Sequence, residues 1–469
     1  MFKAFLAWLF GRKPAAAPAV DAFARSTARD NDPGGFQALN QSAPLRTEVD
    51  AAAPDIDSMS TFLCREAVLG RDQRIAGYQF MLQEGTRNRI RHSSRRVHHL
   101  YAEVLVRSLV RADIGTLIGR RYAFIDVPDS FVDHPCIATL PPHKTVLVLG
   151  THADPGAPDI DTLRATVMRL RATGMRIGLP DPAVVSEFAP LLPQADFIML
   201  RTPAVDARRG LQIASDIVAA APQARLLVRD LPGLEDFRFC YKLGAGLFQG
   251  PFITSRENWH ERDLAPNTAR LTRLIGKVKQ DADSSELAAL LKEDAALSLR
   301  LLRYINAASN GLSESVSSIE RAIFLIGREK LYRWLILLVC SMDPPSGRST
   351  SALESALVRA RFLELLGAER TAAEREELFL TGLLSLIDVI LEVPMEKAIG
   401  HLSLAPEIDL AIRHGAGPYA PLLELAIACE QFDAERVINA ASRCEVPPRV
   451  ASDRHMEALS WTVAIQEGP

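Results

Sequence analysis

The sequence predicts an α/β barrel followed by an all-α domain. From about residue 60 to 258, short apolar runs alternate with amphipathic helical stretches. After Trp259 the strand signal stops, and apolar residues recur at helical spacing alone. Ahead of both lies a stretch with no periodicity. A chain of 469 residues is too long for one core and points to two or three domains. The expected divisions are 1–58, 60–258 and 262–460.

The first division opens with Met1-Phe-Lys-Ala-Phe-Leu-Ala-Trp-Leu-Phe-Gly-Arg-Lys13. A signal peptide places its positive charge mainly before the apolar part, whereas Arg12 and Lys13 follow it, which argues against secretion. Two readings of the segment stand: a frayed apolar tail, or a short amphipathic helix touching the inner membrane surface through Phe2, Phe5, Trp8 and Leu9. Residues 14–58 are rich in Ala, Pro, Asp and Ser and read as a disordered linker.

The apolar runs of the second division are Phe62–Val68, Ile75–Leu82, Tyr122–Val127, Thr145–Leu149, Arg176–Leu179, Phe197–Leu200 and Arg225–Val228. Helical stretches fall between them, for example His98–Val110, Ile160–Ala172, Ala207–Ala221 and Leu234–Leu243. Fully apolar strands alternating with helices predict a parallel sheet buried on both faces, and this many units favours a closed barrel of TIM type. The first two strands are too close for a helical crossover. They should pair antiparallel across the Gly70-Arg-Asp-Gln turn.

In the third division Leu271, Leu274, Ile275 and Val278 keep helix spacing, as do Leu297, Leu301, Leu302 and Ile305. Ser317 with Glu320 reads as a capping box before Ile319–Ile326, and Asp283 with Glu286 as a similar start. Breaks are expected at Pro344-Pro345, Gly367, Pro394, Pro406, Pro418 and Pro447-Pro448. With no repeat of fixed period, the segment predicts a compact helical domain.

Net charge is −3 without long single-sign blocks, which argues against a polyanion binder and makes nucleic acid an unexpected partner. Cys64, Cys136, Cys240, Cys340, Cys429 and Cys444 are far apart with no CxxC pair. That spacing suits reduced thiols of a cytoplasmic protein, not a disulfide framework or zinc site. No apolar run reaches the roughly 18 residues of a membrane span. The most basic stretch, Arg87-Asn-Arg-Ile-Arg-His-Ser-Ser-Arg-Arg-Val-His-His99, reads as a solvated loop entering a helix; an acidic partner, nucleic acid or lipid head groups are the functional alternatives.

The strand Gly77-Tyr-Gln-Phe-Met-Leu-Gln83, its lead-in from Arg71, and Phe248-Gln-Gly-Pro-Phe252 resemble the EAL phosphodiesterase family. That family hydrolyses cyclic di-GMP in a modified TIM barrel with two divalent metals, so the resemblance implies an EAL-like barrel. Two-metal chemistry needs several carboxylates converging on one point. The family's strand reads like Gly-Tyr-Glu-Leu-Leu-Phe-Arg; its metal-binding Glu falls on Gln79 and its ligand-contacting Arg on Gln83. The Asn of the next strand falls on Asp126, and the following carboxylate falls near Leu149. The acidic pair of the family's loop leaves only Asp181. Its Lys-Leu-Asp strand becomes Met199-Leu-Arg201, its Ala-Glu segment becomes Val228-Arg229, and Gln249 persists from the closing motif.

Arg201 and Arg229 put positive charge where two dications would sit, and Gln79 keeps an oxygen without the charge that holds a hard cation. The resemblance therefore implies a degenerate site: no catalytic residue, no metal and no cofactor. Asp126 and Asp181 can equally be loop-start residues satisfying backbone N–H groups. Arg201 and Arg229 either grip a phosphate directly, as in a cyclic di-GMP or nucleotide receptor, or pair internally with Asp126, Asp181 or Asp230.

Leu301-Leu-Arg-Tyr-Ile-Asn-Ala-Ala-Ser-Asn-Gly-Leu312, then Val316-Ser-Ser-Ile-Glu-Arg-Ala-Ile-Phe-Leu-Ile-Gly-Arg328, resemble the HDOD domain, a helical relative of metal-dependent HD phosphohydrolases. The whole layout is similar to EAL–HDOD tandem signalling proteins. Where the HD enzymes carry His-Asp, this chain has Ser385 and Leu386 in Gly382-Leu-Leu-Ser-Leu-Ile387, a pair unable to hold a transition metal. His401, His414 and His455 read as isolated capping or surface residues. Candidate partner contacts are Asn306 and Asn310, beside Gly311, and Tyr332 and Trp334 of Leu331–Leu338; the alternative for the second group is a buried core helix. The expectation is a cytoplasmic scaffold that binds a signalling protein, and an active phosphodiesterase with rearranged ligands is the third reading.

Overall fold

The computed structural model describes residues 62–83, 94–150, 159–181, 186–201, 221–306, 316–342, 344–431 and 434–467, with short pieces between 212 and 219. The N-terminal tail and linker, most of the expected helix Ala207–Ala221, and Asn310 and Gly311 lie outside the described residues.

Eight strands close into one barrel in chain order. β1 (Phe62–Gly70) and β2 (Ile75–Gln83) form the antiparallel hairpin that the short turn required, with Glu66 opposite Gln79. Gln73 takes a positive φ of 59° in that turn. From β2 onward the strands are parallel: β3 (Tyr122–Pro128), β4 (Thr145–Gly150), β5 (Arg176–Pro180), β6 (Phe197–Arg201), β7 (Arg225–Arg229) and β8 (Leu247–Gln249). β8 pairs antiparallel with β1 and closes the ring.

Side-chain alternation sorts each strand into an inner and an outer face. Val68, Phe124, Val146, Val148, Phe197, Met199, Leu227 and Leu247 fill the barrel interior as an apolar floor. Gly178 is part of that fit: a Cβ there would stand 2.7 Å from the Met199 methyl. Around the barrel lie α1 (Arg95–Arg111), α2 (Ile114–Ile118), α3 (Ile160–Ala172) and α4 (Leu234–Lys242). α1 starts three residues before the expected His98, because Arg95 is buried in an ion pair with Asp129, at 2.9 Å, and belongs to the helix.

The rest is helical: α5 (Pro266–Lys279), α6 (Ser284–Lys292), α7 (Ala295–Ile305), α8 (Ile319–Ile326), α9 (Arg328–Ser341), α10 (Gly347–Leu366), α11 (Ala372–Leu384), α12 (Ile387–Leu391), α13 (Met395–Ile399), α14 (Pro406–His414), α15 (Ala420–Gln431), α16 (Ala434–Arg443) and α17 (Pro448–Glu467). The breaks fall at the expected prolines and at Gly367. The start of α8 needs a correction. Its N-cap is Ser318, whose hydroxyl accepts from the Arg321 amide at 3.1 Å; Ser317 lies one residue outside. Asp283 occupies the N-cap of α6 without a side-chain cap bond. A reciprocal capping box stands instead at Thr371 and Glu374, opening α11.

The two halves share one apolar core. Leu63, Leu69, Tyr78, Phe80 and Leu82, on the outer face of the hairpin, belong to the same buried cluster as Phe362, Leu425 and Leu459 of the helices. α15 and α17 pack against β1, and α17 also against α2. Tyr78 donates its hydroxyl to Glu354 of α10, and Arg121 donates to the same carboxylate at 2.7 Å and to Gln466 at 2.6 Å. Arg65 lies over the Tyr78 ring, 4.5 Å from its centroid. At the hairpin tip Ser351 donates to the Gln73 carbonyl at 2.9 Å, and Gly347 sits where any Cβ would collide with the Asp72 carbonyl.

Candidate functional site

Above the apolar floor, at the C-terminal ends of the parallel strands, the inner face turns polar. This is where a barrel of this class gathers its reactive groups. Arg229, at the end of β7 and only 3% exposed, crosses the lumen to Asp126 on β3. Its two terminal nitrogens donate to both carboxylate oxygens, at 3.1 and 2.9 Å, the bidentate geometry in which guanidinium and carboxylate fit best. Gln79 donates to Asp126 Oδ2 at 2.9 Å and accepts from Gln249 at 2.8 Å, while Gln249 also donates to Glu66 at 2.7 Å. Five side chains from five strands thus form one chain: Glu66, Gln249, Gln79, Asp126, Arg229.

Arg201 ends β6 beside this chain, 3.8 Å from Asp126 and 46% exposed at the mouth. Burial works to raise the Asp126 pKa, but the charge and hydrogen bonds of Arg229, with Arg201 and Gln79 behind them, outweigh it. The carboxyl is held below its usual range. Asp126 is an ionised anchor for arginine.

Of the residues singled out in the sequence, the lumen brings together Gln79, Asp126, Arg201, Arg229 and Gln249. Met199 belongs to the floor beneath them. Asp181 is buried after β5, and Gln83 closes β2, its side chain lying outside the described residues. Glu66 was not foreseen. The hairpin gave the signal for it, because a four-residue turn fixes the register that sets Glu66 opposite Gln79.

Two divalent metals do not fit this arrangement. The carboxylate best placed to receive one is already neutralised by Arg229, and a second guanidinium stands 3.8 Å away. Among the described residues, no group of three or more His, Cys, Asp or Glu side chains could hold a metal ion.

The position corresponding to the HD motif is closed in a similar way. Ser385 is buried, donates to the Gly382 carbonyl at 2.7 Å and accepts from Arg359 at 3.2 Å; Leu386 is core. Arg359 in turn grips Glu430 through Nε at 3.0 and 3.1 Å and Nη2 at 2.6 Å. Arg256 reaches Asp388 at 2.5 Å across the same helix end.

The expected partner contacts resolve differently. Trp334 is 1% exposed and Tyr332 6%, with the Tyr332 hydroxyl donating to the Leu402 carbonyl, so both are core residues of α9 and offer no surface as they stand. Asn306 clamps the chain at Val316, accepting from its amide at 2.6 Å and donating to its carbonyl at 2.7 Å. His401 and His414 are exposed, but His455 is a correction: it is 2% exposed, edge-on to Phe362. Burial, then the charges of Arg65 and Arg359, push its pKa down to about 3.

Residues 264–398 match the HDOD domain. The helical half thus contains an HDOD domain, preceded by an eight-stranded barrel. The chain is 26% identical over 383 residues to the cyclic di-GMP phosphodiesterase CdgJ of Vibrio cholerae, spanning 81% of this chain and 87% of that one. It is 21% identical over 425 residues to the protein YuxH of Bacillus subtilis, spanning 86% of this chain and 98% of the relative. Among solved structures, the Bacillus subtilis YkuI protein, with an EAL domain, in complex with c-di-GMP and calcium, is similar at 14% identity and a TM-score of 0.35, over 51% of this chain and 72% of that one. A standalone EAL protein from Vibrio cholerae O395 in its c-di-GMP-bound form gives 13% identity and a TM-score of 0.33, over 41% and 90%. No helix among the described residues is long and apolar enough to cross a membrane.

Proposed function

We propose that this EAL–HDOD chain is a non-catalytic signalling protein that acts by binding a partner protein in a regulatory circuit linked to cyclic di-GMP. The observation that carries the proposal is the lumen network. Hydrolysis of a phosphodiester by this class of site calls for paired cations and a carboxylate free to take a proton. Here Asp126 is spent on a bidentate arginine, and Glu66 accepts from Gln249. The HD-equivalent position, filled by Arg359 and Ser385, supports the same conclusion for the helical half.

The test is direct. Purified full-length chain with Mg²⁺ or Mn²⁺ and cyclic di-GMP should give no hydrolysis above a protein-free blank. Turnover that disappears in Asp126→Ala would overturn the proposal and favour an active phosphodiesterase, the reading suggested by the name of the Vibrio cholerae relative.

A receptor is the second reading, and Arg201 favours it. Its half-exposed guanidinium at the barrel mouth is the group an incoming phosphate would meet first. Calorimetry with cyclic di-GMP distinguishes the two: heat that Arg201→Ala abolishes identifies a receptor, and its absence at high micromolar concentration leaves the partner-binding scaffold.

A further inference from the structure

Glu354 is a buried carboxylate at the seam between the two halves, contributed by α10 and aimed at the outer face of the barrel. Its partners are the Tyr78 hydroxyl and Arg121, both from the barrel. Tyr78 is the immediate neighbour of Gln79 on β2. Successive residues of a strand point to opposite faces, so Tyr78 faces the helices while Gln79 faces the lumen. A single step along β2, from Tyr78 to Gln79, thus joins the seam to the network around Asp126.

A seam built for adhesion alone would be apolar, because well-packed hydrophobic residues usually match or exceed a buried ion pair in stability. A buried carboxylate with two hydrogen-bonded partners does something else: it tolerates one geometry and penalises small displacements. Moving α10 by a fraction of its diameter would strand Glu354 away from water without Tyr78 and Arg121. The contact therefore favours one position of α10 over small displacements from it.

We propose that Glu354 is a latch through which the helical half acts on the barrel in cis. By holding Tyr78 it fixes β2, and β2 holds Gln79 in the network that closes the lumen. A partner that draws α10 away would release Tyr78, loosen β2 and open the polar layer around Asp126 and Arg201. Glu354 is a positioning residue in this scheme. The latch stands independently of what the lumen binds, since it concerns only how the two halves communicate.

Hydrogen–deuterium exchange on the full-length chain tests it. In Glu354→Gln, protection of β2 and β3 peptides (75–82 and 122–127) should fall by about tenfold, the size of one lost charge-assisted hydrogen bond. Peptides of α6, which packs on α5, α7 and α8, should not change. Tyr78→Phe should reproduce the effect, and the double variant should add nothing to either single one. Arg333→Met, which breaks ion pairs with Glu376 of α11 and Glu364 of α10 without touching Glu354, is the control for general loosening of α10. The latch is refuted if β2 protection is unaltered in Glu354→Gln, or if Arg333→Met loosens β2 equally. Should Glu354→Gln not fold, Tyr78→Phe against Arg333→Met decides the matter alone.

Discussion

Replacing Arg229 by Met removes the guanidinium from the lumen while keeping most of its apolar bulk. Asp126 then retains Gln79 at 2.9 Å and Arg201 at 3.8 Å but loses both short charge-assisted bonds. Breaking a fully buried ion pair costs about 3–5 kcal/mol, whereas exposed pairs are worth about 0–1 kcal/mol. Here the arginine is buried but the Asp126 side chain is 40% exposed, so solvent screens part of the loss. The expected destabilisation is about 2 kcal/mol at neutral pH. The pH dependence follows from the carboxyl of Asp126, depressed below the ordinary aspartate value of 3.8. A folded pKa below the unfolded one gives stability that is present above the unfolded value and lost as pH falls through the folded one. The gap between wild type and Arg229→Met should therefore be full at neutral pH and shrink below about pH 4. Urea midpoints of both proteins at pH 7 and at about pH 3.5 measure it. Equal midpoints at pH 7, or a gap that widens in acid, would refute the assignment of Arg229 as the group that neutralises Asp126.

Three further outcomes are expected. His455, with its pKa driven from 6.5 to about 3, binds its proton only in the unfolded chain at mildly acid pH, so wild type loses stability as pH falls below 6.5. His455→Leu should remove about 1.4 kcal/mol of that loss between roughly pH 7.5 and 5.5, read from paired denaturation curves. Arg359→Leu should cost about 3 kcal/mol, because Glu430, half-buried with 16% of its side chain exposed, loses its partner, and adding Glu430→Leu should recover much of it; a double variant no more stable than the single would contradict the pairing. Gly347→Ala should shift the thermal midpoint down by several degrees and free the hairpin tip to proteolysis, since its methyl would displace the Asp72 carbonyl.

Much of this architecture was legible in the residues, for physical reasons that also mark where legibility ended. Fully apolar runs such as Val146–Leu149 can satisfy their burial only inside a covered sheet, so the parallel strands could be read directly. The spacing of Val68 and Ile75 forced a hairpin. The pattern pointed to Ser317 where the cap is Ser318, because two adjacent hydroxyls present much the same signature and only backbone geometry chooses between them. The positive charge of the lumen was readable from Arg201 and Arg229, but which acid Arg229 would take among Asp126, Asp181 and Asp230 depended on strand positions around the ring. His455, Tyr332 and Trp334 were misjudged or left open because the burial of one helix face depends on what packs against it. The Tyr78–Glu354 contact joins residues 276 positions apart, a separation at which no periodicity or turn signal operates.

The shared core across β1 and the last helices bears on how such a chain can be inherited. Its two halves are not interchangeable cassettes: a recombination breakpoint between residues 258 and 265 would deliver a barrel with an oily, charged-residue-studded flank and a bundle missing its counterpart.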